Sequence, residues 1–75
     1  PKAYADDITI QAKDMNNLQK ATSCLLESFK EIDLQINPNK SELLTDNIED
    51  VLFIDTENVL VSKRETKYLG QVILN

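Results

Sequence analysis

The first half of the chain carries apolar side chains at three- and four-residue steps, at Leu18, Ala21 with Thr22, Leu25, Phe29 and Ile32. This spacing places them on one face of a helix, while most charged residues fall elsewhere. Asp14 stands just before the pattern, where its side chain would accept a hydrogen bond from a first-turn N–H as an N-cap. Pro38 cannot continue a helix. The pattern therefore predicts one amphipathic helix over about residues 15–33.

Short runs of strand-forming residues surround this helix. Residues 1–12 hold two such runs separated by Ala5-Asp6-Asp7, which predicts a tight hairpin because Asp tolerates turn conformations. Beyond the helix, the pattern predicts a strand and turn within 34–45, a second hairpin over 51–61 and a last strand over 67–74. The order β-β-α-β-β-β-β predicts an α+β fold, in which the single long helix packs on one face of a mainly antiparallel sheet.

Composition narrows the chemistry that this chain can perform. Its 75 residues make one small domain, and they include no His and one Cys, so imidazole catalysis, a Cys/His zinc site and an internal disulfide are excluded. Any metal would be a hard cation held by oxygen ligands. The net charge of −5 opposes binding of phosphate backbones by this chain alone.

Three further side chains are expected to have structural roles. Cys24 lies close to the apolar stripe and is expected to be a small buried or half-buried side chain. Phe29 and Phe53 are expected in the core.

Cellular location is predicted only broadly by the sequence. There is no apolar run of membrane-span length and no basic-then-apolar leader, so we expect an intracellular protein, in the nucleus or the cytoplasm. Because the sequence begins at Pro1 without a methionine, we expect an excerpt from a longer polypeptide, although processing would give the same start.

The adjacent aspartates Asp6 and Asp7 are the main candidate for chemistry. Clustered carboxylates can hold two metal ions that clamp the attacking and leaving oxygens of a phosphoryl transfer. The two negative charges repel each other without a metal, and a divalent cation would remove that repulsion. An isolated acidic pair, however, is far more often a solvated turn.

The quartet Tyr4-Ala5-Asp6-Asp7 resembles the YxDD hairpin of reverse transcriptases, the RNA-directed DNA polymerases. Residues 34–41, LQINPNKS, resemble the segment that follows the palm helix in that family, and residues 53–61 resemble its next hairpin. Residues 67–73, KYLGQVI, are similar to the K-Y-L-G-x-x-I element of the primer grip. The alanine in YADD and the KYLG segment look more like non-LTR retrotransposon enzymes, with group II intron-type enzymes as second choice. The resemblance implies that residues 1–75 are a single partial palm subdomain, the C-terminal half of a polymerase palm.

The resemblance also implies roles for individual residues. Asp6 would be a ligand of the catalytic Mg²⁺ (or Mn²⁺) ions, two in the complete enzyme, and Asp7 a less indispensable carboxylate. Lys40 would lie near the incoming triphosphate as a catalytic proton donor, with an exposed lysine beside a proline turn as the equal alternative. Tyr4 would pack under the hairpin and contact the primer-side nucleotide. Leu69 and Gly70 would contact the primer backbone, with a purely structural bulge at Gly70 as the alternative.

The parent enzyme implied by this family joins deoxynucleoside triphosphates to a DNA primer on an RNA or DNA template. The earlier palm strand with a further metal-binding aspartate is missing from the 75 residues. We therefore expect the isolated chain to be inactive and to bind nucleic acid weakly or not at all. A non-catalytic palm remnant acting as a structural or protein-interaction module, and an unrelated acidic α+β domain, remain as alternatives.

Overall fold

The structure, a computed structural model, describes residues 3–64 and 70–75. In these ranges one helix and seven strands follow one another as β1 (Ala3–Tyr4), β2 (Ile8–Gln11), α1 (Met15–Glu31), β3 (Leu34–Gln35), β4 (Glu42–Thr45), β5 (Val51–Phe53), β6 (Val59–Arg64) and β7 (Gly70–Leu74). The predicted α+β class and order are confirmed, with the two-residue strand β3 as an addition directly after the helix.

Five of the strands form one mixed sheet in the order β2-β7-β4-β6-β5. Strand β7 pairs antiparallel with both β2 and β4, and β5 pairs antiparallel with β6 across the turn at 54–58. The exception is β4, which runs parallel to β6. The sheet is thus mainly antiparallel as predicted, but it contains one parallel pair because the chain from β4 reaches β6 by way of the edge strand β5.

Helix α1 begins where the sequence predicts it. The side chain of Asp14 accepts a hydrogen bond from the backbone N–H of Asn17 at 2.8 Å and caps the first turn. The helix ends at Glu31, two residues before the predicted end, because Asp33 adopts a positive φ of 57° that reverses the chain. This helix is too short and too polar to cross a membrane, and the described residues contain no other candidate span.

The core lies between α1 and the inner face of the five-stranded sheet. Leu18 is fully buried there against apolar side chains from the strands, namely Leu43, Leu52, Leu60, Val72 and Leu74. The strands alternate: buried residues such as Leu43 and Thr45 on β4 are separated by half-buried ones. One face of the sheet is therefore covered by the helix, and the other is left to solvent.

Three expectations about individual side chains are wrong. Ile32 is 69% exposed because it follows the end of the helix and no longer shares its buried face. Cys24 is exposed, since it lies beside the buried stripe rather than in it. Phe53 is 58% exposed because it points outward from the edge strand β5, whereas Phe29 is buried as predicted.

The two strands that flank Ala5-Asp6-Asp7 do not pair with each other in the described residues. Strand β1 pairs in parallel with β3, with Ala3 opposite Leu34 and Tyr4 opposite Gln35. Strand β2 pairs with β7 in the larger sheet. The predicted hairpin over 1–12 is therefore a connection between two sheets, because the short strand after the helix takes the place beside β1.

Candidate functional site

Asp6 and Asp7 lie in the connection between the two sheets. On the N-terminal side, the parallel pairing of β1 with β3 and a 2.8 Å hydrogen bond from Ala5 N to Gln35 O hold the chain up to residue 5. On the C-terminal side, β2 begins at Ile8. Both aspartates are exposed, so their carboxylates are accessible to a cation from solvent.

The turn over residues 37–41 faces this connection, and its polar residues explain its shape. The Asn37 side chain accepts from Asn39 N at 3.0 Å, and Asn37 O accepts from Lys40 N at 3.0 Å and from the Ser41 hydroxyl at 2.9 Å. Asn75, at the end of β7, donates its backbone N–H to Ser41 Oγ and its side-chain amide to Lys40 O, both at 3.1 Å. The backbone of Lys40 is thus fixed from both sides, while its side chain stays exposed.

An open cavity of ≈ 400 Å³ joins these two segments, lined by Tyr4, Ala5, Asp6, Asn37, Lys40 and Asn75. It brings Tyr4 and Asp6 together with Lys40, which lies more than thirty positions further along the sequence. Asp6 and Lys40 form no ion pair in the part of the chain that the structure describes. The cavity therefore offers one carboxylate and one ammonium group to a ligand at the same time.

Asp7 does not line this cavity. Among residues 3–64 and 70–75, no cluster of three or more acidic or Cys side chains could hold a metal ion. The donor set at the connection is two carboxylates, which suits Mg²⁺ because this ion is commonly held by one or two carboxylates and completes its shell with water and substrate phosphates. Two carboxylates supply at most part of the ligand shell of such an ion, so the described residues contain no complete metal site.

The remaining predicted site residues are placed differently. Tyr4 is 62% exposed and lines the cavity, so the expectation that it packs under the hairpin is wrong, and its contact with a nucleotide stays a prediction. Leu69 lies outside the described residues. Gly70 is buried, and its carbonyl accepts from Ala12 N at 3.0 Å.

A side chain at Gly70 would face the helix. An added Cβ there would lie 3.5 Å from Leu18 Cδ2 and 3.4 Å from Ala12 O. These distances are those of ordinary packing and Gly70 has no positive φ, so neither the space nor the backbone conformation requires a glycine here, and the structural alternative stays a prediction as well. Its contact with a primer stays a prediction.

Asn75 is the cavity residue that the sequence analysis missed. No local motif identifies it, because its role depends on the pairing of β7 with β4, which brings the end of the chain to the 37–41 turn. Asn37 belonged to a recognised segment, but only as a turn residue. Its side-chain oxygen accepts from Asn39 N, and this contact is the one for which an asparagine suits the position.

Comparison with known proteins agrees with this arrangement of motifs. The family model described as "Reverse transcriptase (RNA-dependent DNA polymerase)" matches residues 2–73, nearly the whole chain. Searches among curated proteins and among solved structures give no match. The extent of the family match shows that this chain belongs to the reverse transcriptase (RNA-dependent DNA polymerase) family.

Proposed function

We propose that this chain supplies part of the nucleotidyl-transfer site of a reverse transcriptase palm, with Asp6 and Asp7 as the metal-binding carboxylates of a YADD motif. The observation that carries the proposal is the cavity shared by Tyr4, Asp6 and Lys40, in a chain whose family polymerises DNA on an RNA template. We assign the parent protein to the non-LTR retrotransposon type on the alanine of YADD and the KYLG segment.

Asp6 and Asp7 would present carboxylate oxygens to Mg²⁺ or Mn²⁺. When bound as a pair in the complete enzyme, such ions activate the primer 3′-hydroxyl and stabilise the charge on the transferred phosphoryl group. The exposure of both aspartates leaves room for the remaining ligands of each ion, which would be water, triphosphate oxygens and a carboxylate from elsewhere in the parent protein. Asp6, which faces the cavity, is the more important of the two.

Lys40 would bind the triphosphate of the incoming deoxynucleotide. Its backbone is held beside the cavity by Asn37 and Asn75, and its exposed, flexible side chain is free to reach a ligand there. An ammonium group at this place neutralises phosphate charge and can donate a proton to the leaving pyrophosphate. Tyr4, Leu69 and Gly70 would contact the primer and nucleotide.

The 75-residue chain by itself is proposed to be catalytically inactive. Its described residues offer two carboxylates to a metal pair, and its net charge of −5 repels template and primer. Primer extension on an RNA or DNA template should therefore be undetectable, and extension that disappears in the Asp6→Asn variant would refute this part of the proposal.

Paramagnetic broadening of amide NMR signals by Mn²⁺ tests the metal site directly. We expect broadening centred on residues 5–8, reduced by competing Mg²⁺ and strongly weakened in Asp6→Asn. The matched control is Asp46→Asn, an exposed aspartate of the 46–50 loop, which should leave the broadening at residues 5–8 unchanged. Equal broadening around all exposed carboxylates, or no effect of Asp6→Asn, would refute a specific site.

The second candidate is a palm remnant that serves as a structural or protein-interaction module. It is favoured by one observation: the strands on either side of Asp6 and Asp7 do not pair with each other as a hairpin in the described residues. Under this alternative, millimolar Mn²⁺ leaves the amides of residues 5–8 no more broadened than those of the 46–50 loop.

A further inference from the structure

Four apolar side chains project from the uncovered face of the β5–β6 hairpin. Val51, Phe53, Val59 and Val61 are 39%, 58%, 49% and 65% exposed, respectively. They form two directly opposed cross-strand pairs, Val51 with Val61 and Phe53 with Val59. We call these four residues the hairpin patch.

The hairpin patch is not required by the core. The alternate residues Leu52 and Leu60 point to the other face, where they are buried against the helix. At the opposite edge of the same sheet, the exposed positions of β2 are the polar residues Thr9 and Gln11. Single exposed apolar residues are common, whereas two adjacent opposed pairs on a solvent face mark an interaction surface.

Acidic loops border the hairpin patch at both ends. The loop before β5 carries Asp46, Glu49 and Asp50, and the turn between β5 and β6 carries Asp55 and Glu57. None of these five carboxylates forms an ion pair among the residues that the structure describes.

The lysine beside the hairpin patch does not offset this negative charge. Lys63, the next outward residue of β6, forms an ion pair with Glu42, with 2.9 Å between Lys63 Nζ and Glu42 Oε1. Among the described side chains, the patch is therefore an apolar strip between two borders that carry more acidic than basic residues.

The acidic borders determine which kind of partner can bind the hairpin patch. A second copy of the chain, itself of net charge −5, would bring negative borders against negative borders, and a nucleic-acid backbone would be repelled in the same way. A strand added along the edge of β5 is blocked at Phe53, whose N–H and C=O are taken by the Gln19 side chain at 2.7 and 2.8 Å. We propose that the hairpin patch binds a basic amphipathic segment of a partner protein, with apolar side chains at its centre and Lys or Arg at both ends.

The test uses three synthetic peptides and the intact 75-residue chain. The first peptide has a Val- and Thr-alternating centre with two lysines at each end, the second replaces the lysines by glutamates, and the third replaces the valines by serines. We expect only the first to bind, with amide shifts centred on residues 50–61 and an affinity that falls as salt rises. Binding of the glutamate peptide with equal affinity, or shifts centred elsewhere, would overturn the proposal.

Substitutions in the chain test whether the peptide binds at the hairpin patch. The double substitution Phe53→Ser with Val61→Thr should weaken binding about tenfold or more, since apolar anchors carry most of the energy of small interfaces. The control Ile32→Ser removes an equally exposed apolar side chain from the end of the helix and should leave affinity unchanged. Unchanged affinity in the double variant would contradict the assignment.

Each alternative binding partner of the hairpin patch would give a different experimental result. If the chain dimerises with rising concentration and the double variant abolishes this, the patch binds a second copy of the chain and the proposal is wrong. If a single-stranded oligonucleotide shifts the amide signals of the patch, its partner is nucleic acid and the proposal is wrong as well. Failure of the lysine peptide to bind at millimolar concentration would also overturn the proposal. None of these measurements depends on a metal, so Asp6→Asn should bind the peptide normally whether or not the proposed catalytic role is correct.

Discussion

The side-chain amide of Gln19 connects the helix to the edge of the sheet. Its Oε1 accepts from Phe53 N at 2.7 Å and its Nε2 donates to Phe53 O at 2.8 Å, so that it occupies the place of a neighbouring strand. The two residues are separated by 34 positions in the sequence. We predict that Gln19→Ala destabilises the fold and frees the edge of β5.

The expected magnitude follows from the two hydrogen bonds. Each contributes about 0.5–1.5 kcal/mol net, and the lower part of that range applies because water can reach the exposed residue Phe53. Alanine in a helix restores a few tenths of a kcal/mol. The net loss in the free energy of unfolding is therefore about 0.5–1.5 kcal/mol, against the roughly 4–11 kcal/mol typical of a chain of this length.

Urea unfolding followed by helical circular dichroism measures this loss, and hydrogen exchange of the Phe53 amide locates it. We expect a midpoint lowered by about 1 M and exchange at Phe53 faster by about tenfold. In Gln19→Glu the remaining oxygen still accepts from Phe53 N, so protection of that amide should persist while stability falls. Lys20→Ala, at the next and exposed position of the helix, is the matched control. Unchanged Phe53 exchange in Gln19→Ala would refute the reasoning.

Three further predictions concern the scaffold. Leu18→Ala removes a fully buried side chain and should cost about 2–5 kcal/mol in urea unfolding, so that a variant as stable as the wild type would contradict the assigned core. Asp14→Ala should cost about 0.5–2 kcal/mol through loss of the N-cap, and Asp14→Ser should recover most of it in the same assay. The Glu57 backbone N–H and the Asn58 side chain lower the pKa of Asp55 from 3.8, so its contribution to stability is complete above pH 3.8 and is lost as pH falls through the lowered pKa. The stability difference between wild type and Asp55→Ala should shrink over that acidic range in thermal unfolding, and a constant difference would contradict the link.

Local signals in the sequence predicted the elements well. The N-cap, the helix itself and the strands on either side of 54–58 each depend on residues close in sequence, and the structure has all of them. Partners of the strands were harder to predict. Nothing in Ala3-Tyr4 indicates that its neighbour is Leu34-Gln35, because that pairing depends on where the helix returns the chain.

The candidate site likewise contains some residues that the sequence predicted and others that it did not. Asp6 and Lys40 were predicted because they belong to motifs, and the structure places both at one cavity. Asn75 could not be predicted, since it acts through hydrogen bonds to Ser41 and Lys40, which lie 34 and 35 positions away in the sequence. The outward direction of Phe53 was missed because an apolar run at an edge strand does not tell which alternate residues face the core.

The residues that line the cavity come together through contacts of the elements around them. Asp6 reaches the cavity because β1 is held beside β3, and β3 is the first segment after the helix. A helix of 17 residues spans about 25 Å, enough to bring the chain back along the sheet to the level of β1 before the 37–41 turn begins. The turn then places Lys40 opposite Asp6, and Asn75 fixes it there. The geometry around Asp6 thus depends on contacts made by the helix and by β7. Under the proposed cation-binding role, substitutions in the scaffold should therefore alter the Mn²⁺ broadening at residues 5–8 even when both aspartates are intact.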